Sequence, residues 1–294
     1  MRAARCDVIA GLALSVMTAV MILGVAGCGA MGNKNPFPGS LGEMLDPLFP
    51  QSPGDWAREA INPALDADKR RRAVEMLSSA TWGGEKPYLR LYRVYVDFPD
   101  DDDTIISVCV RALGRHGTPE DVPRLTKMLG PTSAYKPPVY VRWEAAKALQ
   151  RIHHPSAVAP LIAASTRDQD TDVRMAAVKA LAQYDQPFVF DALVGALNDR
   201  VFAVRHSALS SLKTLTGQDL GPDTRQWIDW GRKHRGELFA GRQPYVWQPY
   251  EKPWGFWDKM QFWKKPQPVP PRLPAGMEQA TVDVGETDSA LTTQ

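Results

Sequence analysis

Cysteine is nearly missing from this chain. Three of its 294 residues are Cys, at 6, 28 and 109, too few and too scattered for a disulfide framework. Histidine is scarce as well, with five residues. The sequence holds no HExxH run, nucleophile elbow, phosphate loop or dinucleotide fingerprint, so no catalytic residue can be nominated. We therefore expect no enzyme, no cofactor and no small-molecule substrate. An excess of charge is also lacking: 35 basic residues face 33 acidic ones, and 33 face 32 once the first 27 residues are set aside. That balance offers no general case for nucleic-acid binding, which requires a clustered basic face.

What the chain has is a recurring pattern. Thr171–Leu181 reads TDVRMAAVKAL, and the same arrangement of apolar and small residues appears at Val141–Leu149 and Val204–Leu212. Looser copies occupy Ile105–Leu113 and Lys69–Leu77. The copies start at 69, 105, 141, 173 and 204, in steps of 36, 36, 32 and 31 residues. Steps of this size mark two-helix units that bury their apolar stripe only by stacking on one another. The first unit reads as a helix around Ala60–Leu77 followed by one around Lys86–Val96. The second runs over Thr104–His116 and Val122–Leu129, and the third over Tyr140–Ile152 and Val158–Ala164. Thr171–Tyr184 with Pro187–Leu197, and Phe202–Leu215 with Thr224–His234, complete the set.

Each first helix places small residues inward: Ala145 with Ala148, Ala177 with Ala180, Ala208 with Ser211. Small side chains let successive helices approach, while Leu149, Leu181 and Leu212 fill the layer between them. Cys109 holds the same register as Ala145, Ala177 and Ala208, and reads as a small core hydrophobe. Pro123 and Pro160 lie near the starts of second helices, where a missing N–H costs nothing. Asp168 and Asp199 each precede an arginine, Arg174 and Arg205, by six residues, and Arg142 occupies the matching place in the third unit. An aspartate there can cap the next helix and pair with an arginine of its own or a neighbouring unit.

These units resemble HEAT repeats, most closely the bacterial HEAT-like type also found in phycobilisome-lyase relatives. The resemblance rests on the aspartate ahead of Val-Arg, on Ala-Ala-x-Ala-Leu, and on Val158-Ala159-Pro160-Leu161-Ile162 at a second-helix start. It covers roughly residues 57–234 and is closest in the last three units. Leu215–Gly221 with Trp227 and Trp230 is similar to the segment that closes some such arrays. The resemblance implies an all-α solenoid of about five repeats used for protein–protein contact, without lyase activity.

At the start, Arg2 and Arg5 precede an uncharged run from Val8 to Val25, followed by Ala26-Gly27-Cys28. A basic segment, an apolar segment and small residues at a cleavage point form an export signal. The ending Val25-Ala26-Gly27-Cys28 resembles the bacterial lipobox, which implies lipidation at Cys28 and a chain held to the inner or outer membrane at the cell envelope. An uncleaved membrane span is the alternative. Residues 28–55, rich in Pro and Gly, read as a tether, with the repeats assigned to 56–236.

Two other clusters carry some chemistry. His153-His154 could ligate a metal, although adjacent histidines diverge on a helix and a turn before Pro155 is polar in any case. Asp100–Asp103 could hold a hard cation such as Ca²⁺, but equally suits the start of a helix. No metal ligand is assigned to either. Residues 237–275 form a Trp/Pro-rich segment in which 244–274 hold eight prolines around Trp247, Trp254, Trp257 and Trp263. Its aromatics either cap the last repeat or make a patch for membrane, wall or partner. Residues 276–294 read as disordered. The expectation is a lipid-anchored scaffold binding another protein, with a structural envelope protein, and an enzyme or metal-binding protein, as rivals.

Overall fold

The computed structural model describes residues 51–99, 102–131, 135–247 and 270–277. The chain divides into two units, 1–58 and 59–294. Of the first, the described residues are 51–58, where Asp55 accepts hydrogen bonds from the backbone N–H and hydroxyl of Ser52 at 3.0 and 2.6 Å. Helix α1 spans Pro53–Ala60.

The second unit is an all-α repeat solenoid. Its first helices are α2 (Ala67–Ser79), α4 (Asp103–His116), α6 (Val139–Leu149), α8 (Thr171–Leu181) and α10 (Phe202–Thr216). Its second helices are α3 (Lys86–Asp97), α5 (Val122–Lys127), α7 (Val158–Arg167), α9 (Pro187–Ala196) and α11 (Thr224–Lys233). Successive first helices pack directly on one another along the whole row, whereas second helices meet their neighbours sparsely. No strand occurs among the described residues; the β-type pairing there is limited to two isolated bridges.

Small residues set the close approach of the first helices. Ala145, Ala148, Ala177, Ala180, Ala208 and Ser211 are all buried, as are Leu149, Leu181 and Leu212. A Cβ built on Gly114 would lie 2.7 Å from Cβ of Ala148, so α4 can seat on α6 only with glycine there. Cys109 is fully buried in its expected register. Each such Leu removed from water contributes about 1.5–3 kcal/mol.

Aspartates start several helices. Asp66 accepts from the Lys69 N–H, Asp102 from Thr104, Asp170 from Asp172 and Val173, and Asp223 from Arg225, so orphan N–H groups are satisfied by a side chain. Pro119, Pro155 and Pro187 each open the segment leading into a second helix.

Several expected helix bounds change; the first helices of the third and fourth units, for instance, end at Leu149 and Leu181, short of Ile152 and Tyr184. The single helix expected around Ala60–Leu77 is interrupted: α1 ends at Ala60 and α2 begins at Ala67. Pro63 cannot supply an N–H to continue the first helix, and Asp66 caps a new one. The second helix of the second unit is also shorter than expected, ending at Lys127 instead of Leu129.

The end of the stack is closed by α11. Trp227 is fully buried and its Nε1–H donates to the Gly221 carbonyl at 2.7 Å, with Gly221 in the left-handed region at φ 71°. Trp227 and Trp230 pack on Phe190 with ring centroids 6.4 and 6.0 Å apart. The following segment then turns back. Gly217, at φ 72°, meets Gly241 backbone to backbone, and the Gln243 N–H donates to the Thr214 carbonyl at 2.8 Å. Arg242 reaches the Gln183 carbonyl at 2.7 Å and Asp185 at 2.9 Å. Trp247 lies over Arg151 and pairs with Arg272, and Ala275 bridges Ile152. Gly276 sits so close to Pro119 that a Cβ would come within 2.6 Å of its ring.

The described tail is therefore a strap running backwards along the turns, from the fifth repeat to the second. Trp247 packs on the third repeat, while Trp227 fills the terminal layer. Trp254, Trp257 and Trp263 lie outside the described residues.

Candidate functional site

The arginine and aspartate pattern forms a ladder between repeats. Arg142 donates from Nε and Nη2 to the two carboxylate oxygens of Asp168 at 2.7 and 2.9 Å, and Arg174 does the same to Asp199 at 2.8 and 3.1 Å. Each pair is a fork-to-fork contact between one first helix and the loop entering the next. Arg174 adds hydrogen bonds to the Asp168 and Gln169 carbonyls, and Arg205 bonds the Asp199 and Arg200 carbonyls. The capping role expected of Asp168 and Asp199 is corrected. Their carboxylates accept from the N–H two residues on, at Asp170 and Val201, and in the fourth repeat it is Asp170 that caps. A residue clamped by a neighbour's guanidinium is held away from the helix end. Burial raises the Asp199 carboxyl, but the Arg174 hydrogen bonds and the Val201 N–H outweigh it and lower its pKa overall.

A further pair of this type carries no repeat signature. Arg93 on α3 grips the fully buried Asp121 at 2.7 and 2.9 Å, and Asp121 also accepts from the Thr118 N–H. The partners are 28 residues apart on elements of different register, so nothing in the periodicity pointed to them.

The two histidines serve the turn they occupy. His153 stacks on Tyr184 with centroids 4.7 Å apart and faces Gln183 Oε1 through Nδ1 at 3.2 Å. His154 accepts from the Ser156 N–H and so caps the short turn Pro155–Ala157. Burial lowers the His153 pKa from its ordinary 6.5. In the aspartate run, Asp102 caps α4 and Asp103 accepts from the Tyr135 hydroxyl, while Asp100 and Asp101 lie outside the described residues. Among the described residues no group of three or more His, Cys, Asp or Glu side chains converges, and no helix is long and apolar enough to cross a membrane. Cys28 also lies outside them.

What the repeats bring together is a basic row. Counting back two residues from the buried leucines of α4, α6 and α8 gives Arg111, Lys147 and Lys179; counting on two from those of α4 and α6 gives Arg115 and Arg151. The helices pack side by side, so these side chains line one face. Arg111 Nε lies 3.4 Å from the buried Glu144 and its Nη2 3.9 Å from Glu75, and Lys147 lies 3.9 Å from Glu144. Lys147 rests over the Trp143 ring at 3.9 Å, and Arg151 over Trp247 at 5.0 Å.

Between this face and the strap runs an open groove of about 550 Å³, with Lys147, Arg151 and Lys179 along it, Ser210 and Thr214 at one end, and Gln243–Trp247 as its wall. Among the described residues, none that lines it is acidic. Burial lowers the Lys147 pKa, with the Arg151, Arg111 and Arg115 charges adding to the effect and Glu144 opposing it. Arg151 is lowered by burial and by Arg115. Charge balance over the whole chain concealed this clustering. The signal was present in the aligned repeats, where one register reads Arg, Lys, Lys.

A stack of two-helix units with an aspartate–arginine ladder defines a helical repeat scaffold. Residues 132–213 match HEAT repeats, and the described helices stack as HEAT-like repeats. Among solved structures, a designed armadillo repeat protein aligns at 17% identity over 62% of this chain and 87% of that one, with a TM-score of 0.39. A designed armadillo repeat protein in complex with a (KR)4 peptide aligns at 18% identity over 61% and 87%, with a TM-score of 0.42. Human deoxyhypusine hydroxylase in complex with glycerol aligns at 16% identity over 60% and 98%, with a TM-score of 0.23. At these scores the likenesses carry no argument about what this chain binds. No curated protein matches significantly. A repeat scaffold suggests protein–protein interaction in general.

Proposed function

We propose that this chain is an exported, non-enzymatic scaffold, lipid-anchored through Cys28, that presents its first-helix face to a partner protein at the cell envelope. The observation that carries the binding part is the groove: an accessible face built in register by three successive repeats and walled by the strap. Solenoids commonly offer such extended faces to other proteins. The anchor part is supported by the basic start, the apolar run and the Val25-Ala26-Gly27-Cys28 ending, since several acyl chains together hold a protein stably to a bilayer.

Two experiments test the two parts. Cells expressing the full chain are fed a fatty-acid analogue; label on the wild type and none on Cys28→Ser is expected, and an unlabelled mature wild type would defeat the anchor. For the scaffold, a photo-crosslinking residue replaces Gln150 on the groove floor in intact cells. A discrete protein adduct is expected there and not from the same residue at Arg225 on α11. Absence of an adduct at Gln150 would sink the scaffold reading.

A further inference from the structure

We infer that the groove between the first helices and the strap docks an extended acidic segment of the partner protein, with successive carboxylates set against the third and fourth repeats. This rests on the scaffold reading above and adds the chemistry of what binds.

The first argument is charge. Lys147, Arg151 and Lys179 stand along the groove with no acidic residue among the described residues of its lining, and Glu144, on the same helix as Lys147, is engaged with Arg111 and Lys147. Packing holds these cations together against their mutual repulsion, and an incoming carboxylate relieves that repulsion.

The second argument is spacing. Packed helices lie about 8–10 Å apart, so the basic register advances by that distance per repeat. A segment in polyproline-II geometry advances about 3.1 Å per residue and brings every third side chain back to the same face, hence roughly three residues per repeat. A segment with an acid at every third position sets each carboxylate against a new helix, while contiguous acids cannot.

The third argument concerns the kind of polyanion. Single-stranded nucleic acid needs free aromatic faces on which bases stack. Here the Trp143 and Trp247 rings are taken by Lys147 and Arg151. What remains exposed on the groove wall is Gln243, Pro244 and Val246, which suits a peptide backbone and small side chains.

The test is fluorescence anisotropy with the full chain in detergent. The labelled peptides are four Glu-Ala-Ser triplets, the same composition with its glutamates contiguous, and four Lys-Ala-Ser triplets; a thymidine oligonucleotide is the fourth ligand. Saturable binding of the Glu triplets is expected, several-fold tighter than the contiguous form and lost on raising salt, as screened ion pairs require. Lys179→Glu, an exposed position, is expected to weaken binding about tenfold, and Arg151→Gln to weaken it as well. Arg225→Glu on α11 leaves it unchanged, and circular dichroism verifies that all three variants fold. Equal binding of the Glu and Lys triplets, equal or tighter binding of the oligonucleotide, or wild-type affinity in Lys179→Glu would overturn the inference. So would binding that emerges only after deletion of 278–294, because the occupant would then be the chain's own acidic end. Groove crosslinks in cells without binding of the Glu triplets would leave the scaffold standing and remove the acidic segment.

Discussion

Arg174 of the fourth repeat holds Asp199, at the entrance to the fifth, through two parallel hydrogen bonds of 2.8 and 3.1 Å, with 4% of the arginine side chain and 13% of the aspartate's exposed. A guanidinium this deeply buried is tolerated because every direction it faces offers an oxygen: Asp199 on one side, the Asp168 and Gln169 carbonyls on the other. Removing one partner leaves the other charge buried. Arg174→Met is therefore expected to cost about 3 kcal/mol, read as a lower urea midpoint, whereas the double variant Arg174→Met/Asp199→Leu recovers part of that loss. If the single variant matches the wild-type midpoint, the ladder is ornamental.

The same pair predicts an acid limb in stability. The Asp199 carboxyl is lowered from 3.8 in the folded chain, so the unfolded chain takes up its proton first as pH falls. Its contribution is complete above the unfolded value and disappears as pH drops through the folded one. Thermal melts between about pH 5 and pH 2 should show a smaller slope in Asp199→Asn than in the wild type.

His153 predicts a second, separate window. Burial holds its folded pKa below 6.5, so below 6.5 the unfolded chain binds the proton more readily. Stability should fall as pH decreases from 6.5 toward the folded value and be unaffected above it. In His153→Gln that step is expected to vanish, while the acid limb from Asp199 remains. An unchanged profile between pH 7 and 5 would contradict the buried, neutral imidazole.

Gly114 tests the spacing of the first helices. Its missing Cβ makes room for Ala148 at 2.7 Å, so Gly114→Ala forces α4 and α6 apart. The helix propensity of alanine favours the variant by about 1 kcal/mol, and overpacking opposes it by about 1–3 kcal/mol. The clash involves Cα of Ala148 as well as its methyl, at 2.8 Å, so the net change should be destabilising. Differential scanning calorimetry decides the sign.

The strap is an integral layer of the stack. Tyr245 is 8% exposed, and burial raises its phenol pKa strongly. Tyr245→Ala should cost about 3 kcal/mol and increase hydrogen exchange at the Gln243 and Trp247 amides. Unchanged exchange there would mean that the strap is held by its arginine contacts alone.

Periodicity alone settled the helical repeats, their number, the small residues at the close approaches and the buried register of Cys109. All of these repeat every three dozen residues or so, because each unit faces the same packing problem as the last. The reciprocal use of Arg142, Arg174, Asp168 and Asp199 was legible as spacing, yet which aspartate caps and which is clamped depended on where the neighbouring guanidinium arrives. The Arg93–Asp121 pair, the backward course of the strap and the basic groove came from the tertiary structure. They join residues that share no register, or gather like charges that whole-chain balance cancels on paper. Short-range pattern fixes a helix and its buried stripe; which exposed side chains become neighbours is decided only when the helices stack and the tail chooses the edge it covers.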